Sequence, residues 1–394
     1  MLVQTYVDML SQKSVIRTLS EFATARGKEI GYENVFDYTL GNPSVPVPQQ
    51  VNDTMIKLLQ TKSSMELHGY SQSLGIPSVR EKVAASLNKR FGMNYTANHI
   101  FMASGAAGAL SHAFRLVTQA EDEIITFAPF FPEYNPYVNL TGATLKVVPA
   151  NTNNFQINFE AFESMISEKT MAVLINTPNN PSGIVYSTET IKQLASMLKE
   201  KSEKYGHIIY LISDEPYREI IFKGVDSPYI SKFYDNTISC YSYSKSLSLP
   251  GERIGYVAIN PACEDAEKMI VMCGQISRGI GHNCPASLIQ LAVAENLDIT
   301  SDISVYETNM NLIYDELVNL GFSSVKPGGT FYIFPKALEE DAKAFCEKAL
   351  KYDFIVVPAD TFGCPGYFRM SYCIETEKVE RSLEALRKFV KENY

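Results

Sequence analysis

Tyr241-Ser-Tyr-Ser-Lys245-Ser-Leu-Ser-Leu-Pro250-Gly-Glu-Arg253-Ile-Gly255 is a polar loop between two apolar runs. Thr237-Ile-Ser-Cys-Tyr241 before it and Arg253-Ile-Gly-Tyr-Val-Ala-Ile259 after it both read as strands. A lysine whose surroundings lower its pKa becomes a nucleophile able to form an imine with an aldehyde. Ser242, Ser244 and the planar fork of Arg253 suit an anion such as a phosphate. On spacing alone, a solvated lysine in a serine-rich loop is the stronger reading.

The loop resembles the active-site segment of the class I and II aminotransferases, the fold type I enzymes that use pyridoxal 5′-phosphate (PLP). Their pattern S-x-S-K-x-x-x-x-P-G-x-R-x-G is complete here from Ser242 to Gly255. The resemblance implies that Lys245 carries PLP and acts as the catalytic base. It also implies an α/β fold: a mixed, mostly parallel seven-stranded sheet between helices, with a second, smaller α+β domain. The expected division is residues 1–44 as an N-terminal arm and small-domain segment, 45–285 as the large PLP-binding domain and 286–394 as the small domain.

Working outward, His207-Ile-Ile-Tyr-Leu-Ile-Ser213 reads as a strand that delivers Asp214-Glu-Pro-Tyr217. A carboxylate at the end of an apolar strand calls for a cationic partner, or else it caps a helix. The string is similar to the family's D-E-x-Y, which implies Asp214 on the pyridine nitrogen and Tyr217 at the phenolic oxygen. Met171-Ala-Val-Leu-Ile175 is a continuous apolar strand of the kind buried on both faces of a parallel sheet. It runs into Asn176-Thr-Pro-Asn-Asn180-Pro-Ser-Gly183, whose N-P-S-G resembles the family motif that places Asn180 at the cofactor's phenolic oxygen. The helix from Thr188 is expected to end at Gly206.

His99–Ala103 reads as a strand, and Ser104-Gly-Ala-Ala-Gly108 opens a helix expected over Ala109–Thr118. Small residues at a helix start let an anion approach free N–H groups. In the family this is the phosphate cradle, which nominates Ala106 and Ala107. Ile124-Ile-Thr-Phe-Ala-Pro129-Phe-Phe131 is a strand ending in two aromatics. Phe131 matches the residue that stacks on the ring, with Phe130 as the alternative. The strands at 99–103, 124–128, 171–175 and 207–213 thus all deliver candidates to one sheet edge. Ligands of open α/β sheets bind at that edge.

Further motifs extend the resemblance over residues 37 to 373. Gly41 matches a glycine lying near the substrate carboxylate, and Arg369 the arginine that grips it, a structural salt bridge being the other reading. Tyr70, in Leu67-His-Gly-Tyr-Ser-Gln-Ser-Leu-Gly75, matches a tyrosine that crosses a dimer interface to the partner's phosphate. Ser277-Arg-Gly-Ile-Gly-His-Asn283-Cys is similar to the R-x-x-x-S-N-P-P loop of some aspartate aminotransferases. There the arginine binds a distal substrate carboxylate across the interface, which nominates Arg278. His282 and Cys284 depart from that pattern. The resemblance implies amino-acid and 2-oxo-acid substrates, with aspartate and glutamate favoured, and a homodimer. A C–S β-lyase has nearly the same constellation, and an aromatic- or alanine-type aminotransferase is a further alternative; a non-catalytic aminotransferase-like sensor is set against by the filled catalytic positions.

The remaining expectations are coarser. A short helix is read at Ser14–Phe22, another from Pro261 to about Met272 and a closing helix around Val379–Val390. A pair of strands is read across Phe322–Pro335, with single strands at Phe354–Pro358 and Tyr367–Cys373. With Lys+Arg 35 against Asp+Glu 44, the chain carries −9 and lacks the basic balance of a nucleic-acid binder. Seven scattered cysteines and five dispersed histidines show no metal-ligand spacing. No signal peptide or membrane span is read, so a cytoplasmic protein is expected.

Overall fold

The computed structural model describes residues 2–11 and 14–394. Its strands in chain order are β1 (Phe36–Asp37), β2 (Ile100–Ala103), β3 (Glu123–Phe127), β4 (Thr144–Val148), β5 (Thr170–Asn176) and β6 (Tyr210–Asp214). They continue with β7 (Thr237–Ser242), β8 (Gly255–Ile259), β9 (Tyr332–Ile333), β10 (Phe354–Ile355), β11 (Val357–Pro358) and β12 (Phe368–Ser371). Seven of them form one sheet in the order β2-β8-β7-β6-β5-β3-β4. Only β8 runs against the rest, pairing antiparallel with β2 on one side and β7 on the other. The mixed, mostly parallel seven-stranded sheet expected from the sequence is therefore present.

Alternation along each strand divides the two faces. On β5, Ala172 and Leu174 pack with the helices Gly105–Val117 and Ala266–Ile280. Val173 and Ile175 pack on the other face against Ile191, Leu194 and Leu198 of the helix Thr188–Tyr205. That helix has the ends its sequence specifies. Ser187 Oγ accepts from Thr190 N at 3.1 Å, and Gly206 closes it with φ 72°, a left-handed conformation glycine adopts without a Cβ penalty. Leu194 and Leu198 are fully buried, each contributing about 1.5–3 kcal/mol of apolar burial.

A separate core gathers Phe36 and Tyr38 with residues from Tyr306 to Phe389, beneath the closing helix Thr376–Asn393. The helix Ser287–Ala294 instead packs its Ile289, Ala292 and Val293 with Val51, Val83, Ile100 and Met102. In this second core β9, β12 and β11 make a small antiparallel sheet, and β1 pairs with β10.

Several local expectations differ from the structure. The pair of strands across Phe322–Pro335 does not form: only Tyr332–Ile333 is extended, and it pairs with β12. Gly328 N and Gly329 N donate instead to Gly183 O, at 2.9 and 3.1 Å, and Gly329 makes a single antiparallel bridge to Ile221, so the turn pairs outside its own segment. The first N-terminal helices are Gln4–Ser11 and Val15–Ile30, the second running through Gly27. The helix after β2 opens at Gly105, so Ala106 and Ala107 form its first turn. Ala266–Ile280 is one helix, and Arg278 lies in its last turn rather than in a loop. The strand at 207–213 begins only at Tyr210, and Phe354–Pro358 divides into β10 and β11. No helix among the described residues is long and apolar enough to cross a membrane.

Candidate active site

Because β2, β3, β5, β6 and β7 run in one direction, their carboxyl ends share an edge of the sheet. A cleft of about 1840 Å³ opens there, and Lys245, Asp214, Tyr217, Asn180, Gly41, Phe131, Ala106, Ala107, Ser242, Ser244, Arg253 and Arg369 all line it. The structure thus brings together all but two of the residues nominated from the sequence. Tyr70 is fully exposed and Arg278 is exposed on its helix; neither lines the cleft. Phe130 is buried in the core beside Tyr134, which leaves Phe131 as the aromatic facing the cleft.

Lys245 follows β7 on a single helical turn capped by Ser242, whose Oγ accepts from Ser244 N at 3.2 Å. The lysine Nζ donates to Gly41 O at 2.6 Å and has the Phe331 ring 5.5 Å away. Burial lowers its pKa from 10.5 to about 8, with Arg253 and Arg369 adding repulsion against a counteracting pull from Cys373. The amine is therefore far more available near neutral pH than that of an ordinary lysine.

Asp214 ends β6 and is buried. Tyr134 OH donates to its Oδ2 at 2.5 Å, while Oδ1 has no hydrogen-bond partner. Burial raises its pKa to about 7; the Tyr134 bond lowers it and the nearby Glu215 raises it. A buried carboxylate oxygen of this kind wants a cation that donates a hydrogen bond. Below it, Asn176 Nδ2 holds the Asp214 carbonyl at 2.9 Å, and Asn176 Oδ1 accepts from Asn180 N at 2.7 Å. The two strand-end residues are thereby locked together.

Arg369, on β12, is buried with the opposite need. Its Nη1 donates to Asn180 Oδ1 at 3.0 Å and its Nη2 to Thr39 O, while Nε is unpartnered. Its pKa is lowered by burial, and both bonds go to neutral oxygens. An anion therefore suits it, and it is not part of a structural salt bridge. Asn180 Oδ1 is committed to the arginine, so its Nδ2 is left to donate into the cleft.

Arg253 sits at the turn before β8 with φ 52°, bonded to Pro250 O at 3.0 Å and Ser104 O at 3.5 Å. Ser104 precedes the helix Gly105–Val117, so the guanidinium stands beside that helix's first N–H groups. A Cβ on Gly105 would come within 3.0 Å of Arg253 Nη2, so glycine permits the approach. The combined positive end suits a phosphate.

Tyr134, Asn176 and Tyr332 were not nominated from the sequence. Asn176 carries a signal of its own, a polar residue at the carboxyl end of a strand buried on both faces. Tyr332 falls in Gly329-Thr-Phe-Tyr-Ile-Phe334, a string similar to the family's small-domain G-x-F-Y-x-F, which marks the stretch without giving the tyrosine a role, and Tyr134 reaches the site only through the fold.

A nucleophilic lysine, a buried carboxylate and a buried arginine at the carboxyl edge of such a sheet define the class I and II aminotransferase arrangement. The comparisons agree: residues 33–386 match the family model Aminotransferase class I and II, and the chain belongs to that family. A solved amino transferase from Eubacterium rectale is 46% identical with a TM-score of 0.96, covering 100% of this chain and 99% of that one. An aspartate aminotransferase from Thermotoga maritima is 29% identical over 387 residues, covering 97% of this chain and 98% of its own length. A probable N-acetyl-LL-diaminopimelate aminotransferase from Bacillus subtilis is also 29% identical, over 370 residues, covering 91% and 90%.

Proposed function

We propose that the protein is a PLP-dependent aminotransferase that moves an amino group between an L-amino acid and a 2-oxo acid. The observation that carries this is a pair of buried orphans of opposite demand, Asp214 Oδ1 and Arg369 Nε, in the cleft that holds the Lys245 amine. The residues fit the cofactor. Asp214 would hold the ring nitrogen, Asn180 and Tyr217 the phenolic oxygen, and Phe131 the ring face. Ser242, Ser244, Arg253 and the helix start at Ala106 and Ala107 would hold the phosphate. Bound there, the ring supplies an electron sink and carries the amino group from donor to acceptor.

The chain's own residues do the rest. Arg369 binds the substrate carboxylate along the edge of its planar fork, through the free Nε–H and a neighbouring Nη N–H, beside Gly41. Lys245 Nζ takes the proton from the substrate Cα and returns it, since a pKa near 8 suits it to act as both base and acid. Asp214, desolvated and aimed by Tyr134, keeps the ring nitrogen protonated.

Aspartate and glutamate are the proposed donors. The aspartate aminotransferase relative and the exposed Arg278 support this, with the arginine serving the cleft of a second copy in a homodimer. Tyr70, exposed on the same chain, would likewise serve the partner's phosphate.

The test is borohydride reduction of the protein after incubation with PLP, followed by peptide mapping. An adduct on Lys245, absent from Lys245→Ala, is expected, together with amino transfer from aspartate or glutamate to 2-oxo acids. An adduct on another lysine, or none, would overturn the reading.

A further inference from the structure

We propose that Tyr332 is a positioning residue that ties carboxylate recognition at Arg369 to the hydroxyl of Tyr217. The inference rests on the aminotransferase reading and adds a residue to it. Tyr332 touches three parts of the site at once. Its ring lies 4.7 Å from Arg369 Cζ, with Phe362 on the arginine at 5.1 Å, so two aromatic rings hold the guanidinium. Its hydroxyl meets Tyr217 OH at 3.2 Å, the two rings standing at 82°. The same hydroxyl fills the space that a Cβ on Gly41 would need, and Gly41 O receives Lys245 Nζ.

The segment carrying Tyr332 is fixed by backbone bonds to two other turns of the site. Thr330 N donates to Ile220 O at 2.9 Å, and Gly328 N and Gly329 N both donate to Gly183 O. The turn therefore binds the two turns that bear Tyr217 and Asn180. Thr330 itself has φ 62°, an unfavourable conformation for a β-branched residue, and its Oγ1 accepts from Tyr332 N at 3.0 Å. Strain of that kind persists only where surrounding bonds over-determine it. Here the bonds that hold it also set where Tyr332 stands.

Either hydroxyl of the pair can donate to the other, and what accepts from Tyr217 decides which one does. Both hydroxyls are buried, and burial holds the Tyr217 pKa well above 10, so both remain protonated. When Tyr217 donates into the cleft, its oxygen is the acceptor for Tyr332. Tyr332 then sharpens Tyr217 as a donor while its ring holds the arginine. One side chain thereby conveys to the phenolic-oxygen side of the site how Arg369 is set.

Two variants separate ring from hydroxyl. Titration calorimetry with succinate and with 3-phenylpropionate, carboxylates that lack an amino group, reads Arg369 without turnover. The pH at which the bound cofactor's visible absorbance titrates reads Tyr217. Tyr332→Leu, which removes the stack, is expected to weaken carboxylate binding roughly 10- to 30-fold, as for loss of a desolvated cation–π contact. Tyr332→Phe keeps the ring: carboxylate binding stays within about twofold, while the absorbance titration moves to higher pH. Equal binding losses in both variants, or an unmoved titration in Tyr332→Phe, would reduce Tyr332 to core packing and overturn the proposal. Failure of the wild-type protein to take up PLP on Lys245 would instead overturn the functional reading, while the calorimetry would still report on the stack.

Discussion

Replacing Asp214 with asparagine separates what burial costs the protein from what the carboxylate does for it. In the protein freed of cofactor, burial holds the Asp214 pKa near 7 against an ordinary 3.8. Below pH 3.8 the native and unfolded states both keep the proton, and the group leaves stability unchanged. Between pH 4 and 7 the unfolded chain gives its proton up while the native state retains it, so the native state loses ground by about 1.4 kcal/mol per pH unit. The loss levels off above pH 7 at about 4 kcal/mol. Asparagine does not titrate and can still accept the Tyr134 hydrogen bond. Cofactor-free Asp214→Asn should therefore gain on the wild type by about 2–3 kcal/mol between pH 5 and pH 8. Urea unfolding at each pH, with both proteins stripped of PLP, measures this. With PLP restored the order reverses, because the carboxylate then faces a cation, and the variant's turnover falls by several orders of magnitude. A stability difference that stays flat with pH would show that Asp214 is not a desolvated, unpaired acid, and the argument for its ring-nitrogen role would fail with it.

Lys245 should react with added PLP at a rate that climbs with pH and levels near pH 8, where an ordinary lysine would go on climbing toward pH 10.5; stopped-flow absorbance on stripped protein follows it. Arg369→Lys replaces a planar fork with a point charge and abandons the bonds to Asn180 and Thr39. KM for amino and oxo acids should rise by about 30- to 150-fold, on the order of 2–3 kcal/mol, and an unchanged KM would move carboxylate recognition elsewhere. Arg278→Ala should lower kcat/KM for aspartate by roughly 30- to 150-fold while barely affecting alanine or an aromatic donor. An equal loss for all donors, or none for aspartate, would remove Arg278 from substrate recognition.

What was legible in the sequence was whatever is local or periodic. The apolar run of β5, the end of β6 at Asp214 and the Ser187-to-Gly206 helix each carry their own signal, and each formed close to where it was read. The hairpin at Phe322–Pro335 failed because its glycines bond to Gly183, a partner that no local pattern announces. Arg278 is placed in a loop by the resemblance of its segment to R-x-x-x-S-N-P-P, whereas the helix runs through Gly279 and is closed by Gly281, at φ 66°. Tyr134 carries no local signal, and the string that holds Tyr332 gives no role to its hydroxyl. Their value lies in reaching Asp214 and Arg369, and those distances exist only after the chain has folded.

The reversed direction of β8 also bears on how the molecule is made. Within the large sheet β2 has one neighbour, β8, which begins at Gly255. A strand finished early in synthesis must wait for one produced much later, the kind of long-range closure that slows folding. The same event brings Arg253 beside Ser104 and the helix start at Gly105. The pocket proposed for the phosphate is therefore completed by the strand that completes the sheet. PLP cannot template the early stages of folding through that pocket. Held there as proposed, it would act afterwards, as a ligand that binds the finished state and draws the equilibrium toward it by mass action. Chains made without such a ligand would reach the same architecture and hold it less tightly.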